Sequence, residues 1–230
     1  MRRTVKIPGG IAAALLSLAL VACQSPATTG GTQSAKAPTK YTDKLPTSSA
    51  FNPQQITSGG DYIHRDTGLV FPEQVGRLQR IAVLAATESK DDIGATYKIA
   101  GHDDFIATVI VFPIWNVVDR PLTVNDIPAG CEEGYVSARE TARNRLENPR
   151  VVREEPIATP RFKDAVFTRT IIFDADGGLE LADFPIRSEL HWQCGVDQVW
   201  VVLHRVSYAP DFEGAETLVQ KFLQVAPTQP

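Results

Sequence analysis

The side chains best suited to chemistry in this 230-residue chain are three cysteines, four histidines and one run of arginines. Cys131 and Cys194 do not form a Cys-x-x-Cys pair, so a redox-active dithiol is not indicated. His191 and Cys194 stand three apart in a strand-like run. That spacing puts them on opposite faces, so they cannot ligate one metal together. His102 sits in a polar stretch with Asp103 and Asp104 and reads as a solvated hairpin tip. His204 shares a period-two face with Trp200, Val202 and Val206, the place of a core histidine. His64 lies near a short hairpin signal. Asp174-Ala175-Asp176-Gly177 begins like a calcium loop, but position twelve is Pro185 rather than an acid. The run is expected to be a tight hairpin turn. There is no Gly-x-Ser-x-Gly elbow, no phosphate-binding glycine loop and no His-Glu-x-x-His. Glu132-Glu133 and Glu154-Glu155 are sequence neighbours that do not face one another on a helix. The expectation is no metal, no cofactor and no catalytic residue. Carboxylates scattered through a fold leave a hydrolase as an alternative.

The arginines are concentrated. Between Arg139 and Arg169, eight cationic residues face five acidic ones, a local excess of three in a chain of net charge −4. Arg139 and Arg143 share one helix face, and Arg150 and Arg153 follow just beyond it. These four are the candidate binding residues for an anionic lipid headgroup, a glycan or an acidic envelope protein. The bland reading is a solvated face with local ion pairs. The acidic overall balance gives no reason to expect nucleic-acid binding.

These residues must be positioned by a folded domain. Hydrophobic residues are 43% and charged residues 22%, which excludes a coiled coil, a collagen and a fully disordered chain. Strands are predicted at Leu78 to Thr87, Ile93 to Ile99, Phe105 to Phe112, Ala165 to Phe173, Ile186 to Cys194 and Val199 to Tyr208. Asp61 to His64 and Leu69 to Phe71 form a short hairpin, and Val151 to Pro156 is a weaker strand. Phe105 to Phe112 is apolar on both faces and should be central. In Ile186 to Cys194, Ile186, Leu190, Trp192 and Cys194 face one way and Arg187, Glu189, His191 and Gln193 the other. Cys131, Tyr135, Ala138, Ala142 and Leu146 mark a middle helix stopped at Asn148-Pro149. Phe212, Ala215, Leu218, Val219, Phe222 and Leu223 mark a C-terminal helix. The expected class is α+β, an antiparallel sheet with a middle helix and a C-terminal helix, over residues 58–226 with a 227–230 tail. Gly68-Leu69-Val70-Phe71-Pro72 and Trp200-Val201-Val202 resemble a group of uncharacterised bacterial proteins with a photosystem II extrinsic subunit P-like fold. That resemblance implies an α/β/α sandwich and transfers no catalytic motif.

The N-terminus carries an address. Arg2, Arg3 and Lys6 precede an apolar run from Ile11 to Val21. That run is too short for a span, which needs about 20 residues. Leu20-Val21-Ala22-Cys23 resembles the lipobox of bacterial lipoproteins. The resemblance implies that residues 1–22 are a signal peptide and that Cys23 is lipidated and becomes the new N-terminus. Gln24 rather than Asp implies outer-membrane sorting in such a protein. Multiple acyl chains would make the anchor effectively permanent. Loss of Arg2, Arg3 and Lys6 moves the net charge from −4 to −7. Residues 23–57 are polar, Pro- and Ser/Thr-rich, and read as a disordered tether. Its root-mean-square reach is ~30 Å and its taut limit ~100 Å. Phe51 reads as a tether residue rather than a docked one.

With Cys23 lipidated in an oxidising periplasm, two thiols remain. Cys131 lies on the apolar helix face and Cys194 on an apolar strand face. The helix must cover a sheet face, so a Cys131–Cys194 disulfide is expected. Two buried free thiols are the alternative. The functional expectation is a non-catalytic binding or assembly module on the periplasmic face of the envelope. A small-ligand carrier with a cavity between sheet and helix is the second reading.

Overall fold

The computed structural model describes residues 54–56, 59–118, 120–178, 181, 184–197, 199–225 and 227. Residues 1–22, read above as a signal peptide, Cys23, Phe51 and nearly all of the stretch read as a tether lie outside the described residues. Among the described residues, no helix is long and apolar enough to cross a membrane.

The class is α+β. Thirteen strands occur among the described residues, most of them in one nine-stranded sheet. Its long members are β5 (Leu78–Ala85), β6 (Ile93–Ile99), β7 (Phe105–Pro113), β10 (Phe167–Ala175), β12 (Ile186–Val196) and β13 (Trp200–Tyr208). β9 (Arg150–Glu155) closes one edge. β1 (Gln54–Gln55) and β4 (Gln74–Val75) pair with β5 near the other. The order is β1-β5-β6-β7-β13-β12-β10-β9, with antiparallel pairing throughout. Two small pairs lie apart: β2 (Tyr62–Ile63) with β3 (Val70–Phe71), and β8 (Leu146–Glu147) with β11 (Gly177–Gly178).

The strand expected to be central is central. β7 lies between β6 and β13, and Phe105, Ile106, Ala107, Val109, Val111 and Phe112 are all buried. The helices cover opposite faces. α1 (Ile127–Arg143) packs on the face carrying Trp192 and Cys194. α2 (Ala215–Val225) packs on the other, where the Phe222 ring meets Tyr97 and His204 edge-on.

Several boundaries differ from the sequence reading. α1 begins at Ile127 because Thr123 and Asp126 form a reciprocal capping box in the preceding 3-10 turn, Val124–Asp126. It ends at Arg143 rather than at Pro149, and Leu146 is recruited to β8 instead. Asp174-Ala175-Asp176-Gly177-Gly178 is not a tight hairpin turn. Asp174 and Ala175 continue β10, the Asp176 amide donates to the Glu147 carbonyl at 2.9 Å, and Gly177–Gly178 pairs with β8. Residues 54–56, read above as part of the tether, join the sheet instead. Gln54 and Gln55 are paired to β5, and the Ile56 amide bonds the Val83 carbonyl.

Candidate functional site

The two helix-covered faces hold different chemistry. On the α1 side, Cys131 and Cys194 are fully buried and joined by a disulfide, with Cα atoms 5.6 Å apart. Gly134 lets the helix approach closely: a Cβ there would sit 2.9 Å from Val117 Cγ2 and 3.1 Å from the Trp192 ring. Phe112 and Tyr135 both meet Trp192 edge-on. This interface is packed shape against shape.

The α2 side carries a chain of buried polar groups, two of which, Glu189 and His191, the sequence reading placed on the strand face opposite Trp192 and Cys194. Thr170 on β10 lies in register with His191 on β12, and Thr170 Oγ1 is hydrogen-bonded to His191 Nδ1. His191 Nε2 donates to Glu189 Oε2 at 3.0 Å. The Tyr208 hydroxyl donates to Glu189 Oε1 at 2.6 Å. Thr170, Glu189 and His191 are 6%, 8% and 9% exposed. Burial pushes the Glu189 carboxyl up, but the bonds from His191 and Tyr208 and the charges of His191 and Arg187 outweigh it and hold the pKa below the ordinary value. Burial, together with the bond to Glu189, raises the Tyr208 phenol. Beside them Arg187 grips Asp174 through two bonds of 2.8 and 3.1 Å, and that grip raises the guanidinium pKa further.

Hydroxyl, imidazole and carboxylate in this order match nucleophile, base and orienter. Access is what differs. Gln193, two residues along the same face from His191, accepts the backbone amides of Arg161 and Phe162 at 2.9 and 3.3 Å. Arg161 in turn reaches the carbonyls of Leu223 and Gln224 at the end of α2. Arg161 and the end of α2 thus lie over the Gln193 end of this buried polar chain. The sequence contained one signal for it. Both helices have an apolar face, so both faces of the sheet had to be covered, polar residues included.

The other histidines are placed as follows. His64 is buried, with Nδ1 2.8 Å from Thr67 Oγ1 and its ring edge-on to Trp200; burial lowers its pKa. His204 is fully buried. His102 stands 3.4 Å from Asp104 on a shallow groove of about 570 Å³ that Arg77, Asp211, Phe212 and Glu213 also line. Among the described residues, no three His, Cys, Asp or Glu side chains are grouped to hold a metal.

The four candidate arginines are not brought into one patch. Arg139 bonds Glu140 and Glu154 on the α1 side, and Arg143 pairs with Glu140 at 3.8 Å. Arg150 stands in register with Asp174 on the opposite face and pairs with Asp176 at 3.2 Å. Arg153 shares that face and pairs with Glu155. Each has a carboxylate partner, which is the solvated ion-pair arrangement.

No protein-family model matches the chain, and no curated protein matches it. Among solved structures, the chain is similar to the Saccharomyces cerevisiae Ran-binding protein Mog1p. The TM-score is 0.36 at 9% identity, over 75% of this chain and 85% of that one. A point-mutant form of Mog1 gives a TM-score of 0.37 at 10% identity, over 74% and 85%.

Proposed function

We propose that the protein is a lipoprotein of the cell envelope. Lipid on Cys23 holds it in the outer membrane, and its α+β domain faces the periplasm as a non-catalytic binding or assembly module. The observation that carries this reading is the Cys131–Cys194 disulfide. A buried structural disulfide belongs to an oxidising compartment, and a signal peptide ending in Leu20-Val21-Ala22-Cys23 would deliver the chain there. The polar stretch after Cys23 supplies the reach a tethered module needs. The close-packed α1 interface and the enclosed Thr170–His191–Glu189 chain favour a binding role over a carrier or a hydrolase.

The test is palmitate labelling and envelope fractionation of the native chain beside Cys23→Ser, followed by crosslinking in intact envelopes. Expected are label and outer-membrane recovery that both disappear in Cys23→Ser, with a crosslinked component lost alongside them. An unlabelled, cytoplasmic chain overturns the anchoring, and turnover of a substrate by the purified protein overturns the non-catalytic role.

A further inference from the structure

We infer that β9 is a self-pairing edge, through which two copies of this chain join their sheets antiparallel about a two-fold axis between Val152 and Arg153. β9 is the terminal strand of the large sheet and bonds only to β10 among the described residues. Its six residues span ~20 Å, and Arg150 through Glu154 are all exposed, Val151 and Val152 at 56% and 51%.

Such an edge is normally guarded by charge and by bulges. β9 has both: the sequence Arg-Val-Val-Arg-Glu-Glu, and a register shift opposite Ile172 and Phe173. These devices repel an arbitrary strand. They also specify which strand fits. β9 opens on Arg150 and closes on Glu154 and Glu155, so an antiparallel copy lays its basic end against the acidic end.

The register follows from the faces. Residues directly opposite in an antiparallel pair project to the same side of the sheet. In β9, Arg150, Arg153 and Glu155 are in register with Asp174, Ile172 and Thr170, the α2 face. Val151 and Glu154 are in register with Phe173 and Ile171, the α1 face. The shift at Val152 is what breaks the simple alternation. Because of it, Arg150 and Glu155 share a face, as do Val151 and Glu154. Pairing Arg150 with Glu155 of a second copy therefore matches side to side and charge to charge, twice over by symmetry, in exchange for the exposed Arg150–Asp176 and Arg153–Glu155 pairs within each copy. Sliding by one residue opposes residues from different faces. Sliding by two, to Arg150 opposite Arg153, restores the faces but sets like charges together. The bulge and the charge order thus select a single register.

The strand edge buries less than a standard interface, so the dimer should be weak and concentration-dependent. The inference needs no lipid and stands apart from the anchoring reading. The experiment is sedimentation equilibrium of the full chain carrying Cys23→Ser, so that acyl chains cannot gather copies in one micelle. Amide hydrogen exchange over the same concentration series accompanies it. Expected is reversible dimerisation, with the Val152 and Arg153 region gaining protection as concentration rises. Arg150→Glu alone or Glu155→Arg alone turns both symmetric pairs repulsive and should raise the dimer dissociation constant about tenfold or more. The double swap, Arg150→Glu with Glu155→Arg, should restore most of the loss. A monomer at every concentration, protection that never rises in β9, or a dimer indifferent to both reversals would each overturn the inference. The exchange measurement decides even if a variant fails to fold.

Discussion

Two buried carboxylates, one within the sheet and one just before a strand of it, show how differently their surroundings treat charge. Glu189, beneath the cover on the α2 side, receives bonds from His191 and Tyr208 and the field of Arg187. Its pKa is held below the ordinary value despite burial. Asp92, just before β6, is 6% exposed and has Asn116 as its side-chain partner. Burial, with the Asp91 charge adding to it, pushes Asp92 up to about 7. The lesson is that burial does not set the sign of a shift; the partners supplied to the ionised form do. The two helices repeat the contrast. α1 is fixed by a covalent bond and close packing, whereas α2 closes over a layer that depends on hydrogen bonds and ionisation.

The covalent side gives the largest expected effect. Cys131 and Cys194 are 63 positions apart, and in the chain-entropy account a loop of that size contributes about 4 kcal/mol. Cys131→Ala with Cys194→Ala should lower the urea-unfolding free energy by about that amount. Reductant should then leave the variant unchanged while destabilising the native chain. Equal stability with and without the bond would show that α1 is held by packing alone.

Asp92→Asn tests the poorly served carboxylate and should have the opposite sign. A carboxyl raised from 3.8 to about 7 favours the neutral form in the folded state. Ionising it therefore costs stability, from nothing below pH ~4 to the full amount above pH ~7. The asparagine variant should be more stable than the native chain by about 2–4 kcal/mol at pH 8, and equal to it near pH 4. Thermal melts at the two pH values read this directly. A loss at pH 8 would mean that the ionised carboxylate is better solvated than its enclosure implies.

The contrast also explains what the sequence could disclose. Period-two and period-3.6 patterns depend on which side chains are apolar, so β6, β7 and the helix that carries Cys131 were legible. The disulfide was legible as well, because both cysteines sat on apolar faces that a helix and a sheet had to bring together. The Thr170–His191–Glu189–Tyr208 chain was not. Alternation of polar with apolar residues in β12 reads as a half-solvated strand. At Gln193, on the same face, the cover comes from Arg161 and Phe162, about thirty positions earlier, with Arg161 reaching the end of α2. The Asp174–Gly178 run was misread for a similar reason. Its glycines suit a tight turn locally, but pairing with the distant Leu146 and Glu147 draws the chain away.

Gly134→Ala probes the packing on the α1 side without touching the disulfide. The added methyl would meet Val117, Trp192 and Ile114 at 2.9 to 3.2 Å, so the helix must lift or the ring must move. A loss of about 2 kcal/mol is expected, at any pH between 4 and 8. Gly94→Ala, whose methyl would find Ile110 at an ordinary 3.7 Å, is the control and should change stability by less than about 0.5 kcal/mol. A pH-dependent loss in Gly134→Ala would show that the two sides of the sheet are energetically coupled.

Glu189→Gln probes the hydrogen-bonded side and should be the smallest effect and the most pH-dependent. The amide keeps the shape and one accepting oxygen, but loses the charge that His191 and Tyr208 bond and Arg187 attracts. A carboxyl held below its ordinary value of 4.5 stabilises the fold wherever it is ionised in both states. That contribution is complete above pH ~5 and is lost as pH falls through the folded-state value. The variant should therefore be less stable than the native chain by about 1–2 kcal/mol at pH 7. The gap should close in strong acid, where the native carboxyl is also neutral. Plotted together, the Glu189→Gln and Asp92→Asn differences should run in opposite directions with pH. Curves that ran in the same direction would mean that burial alone governs both carboxylates, and that the bonds from His191 and Tyr208 add no net stabilisation to the ionised form.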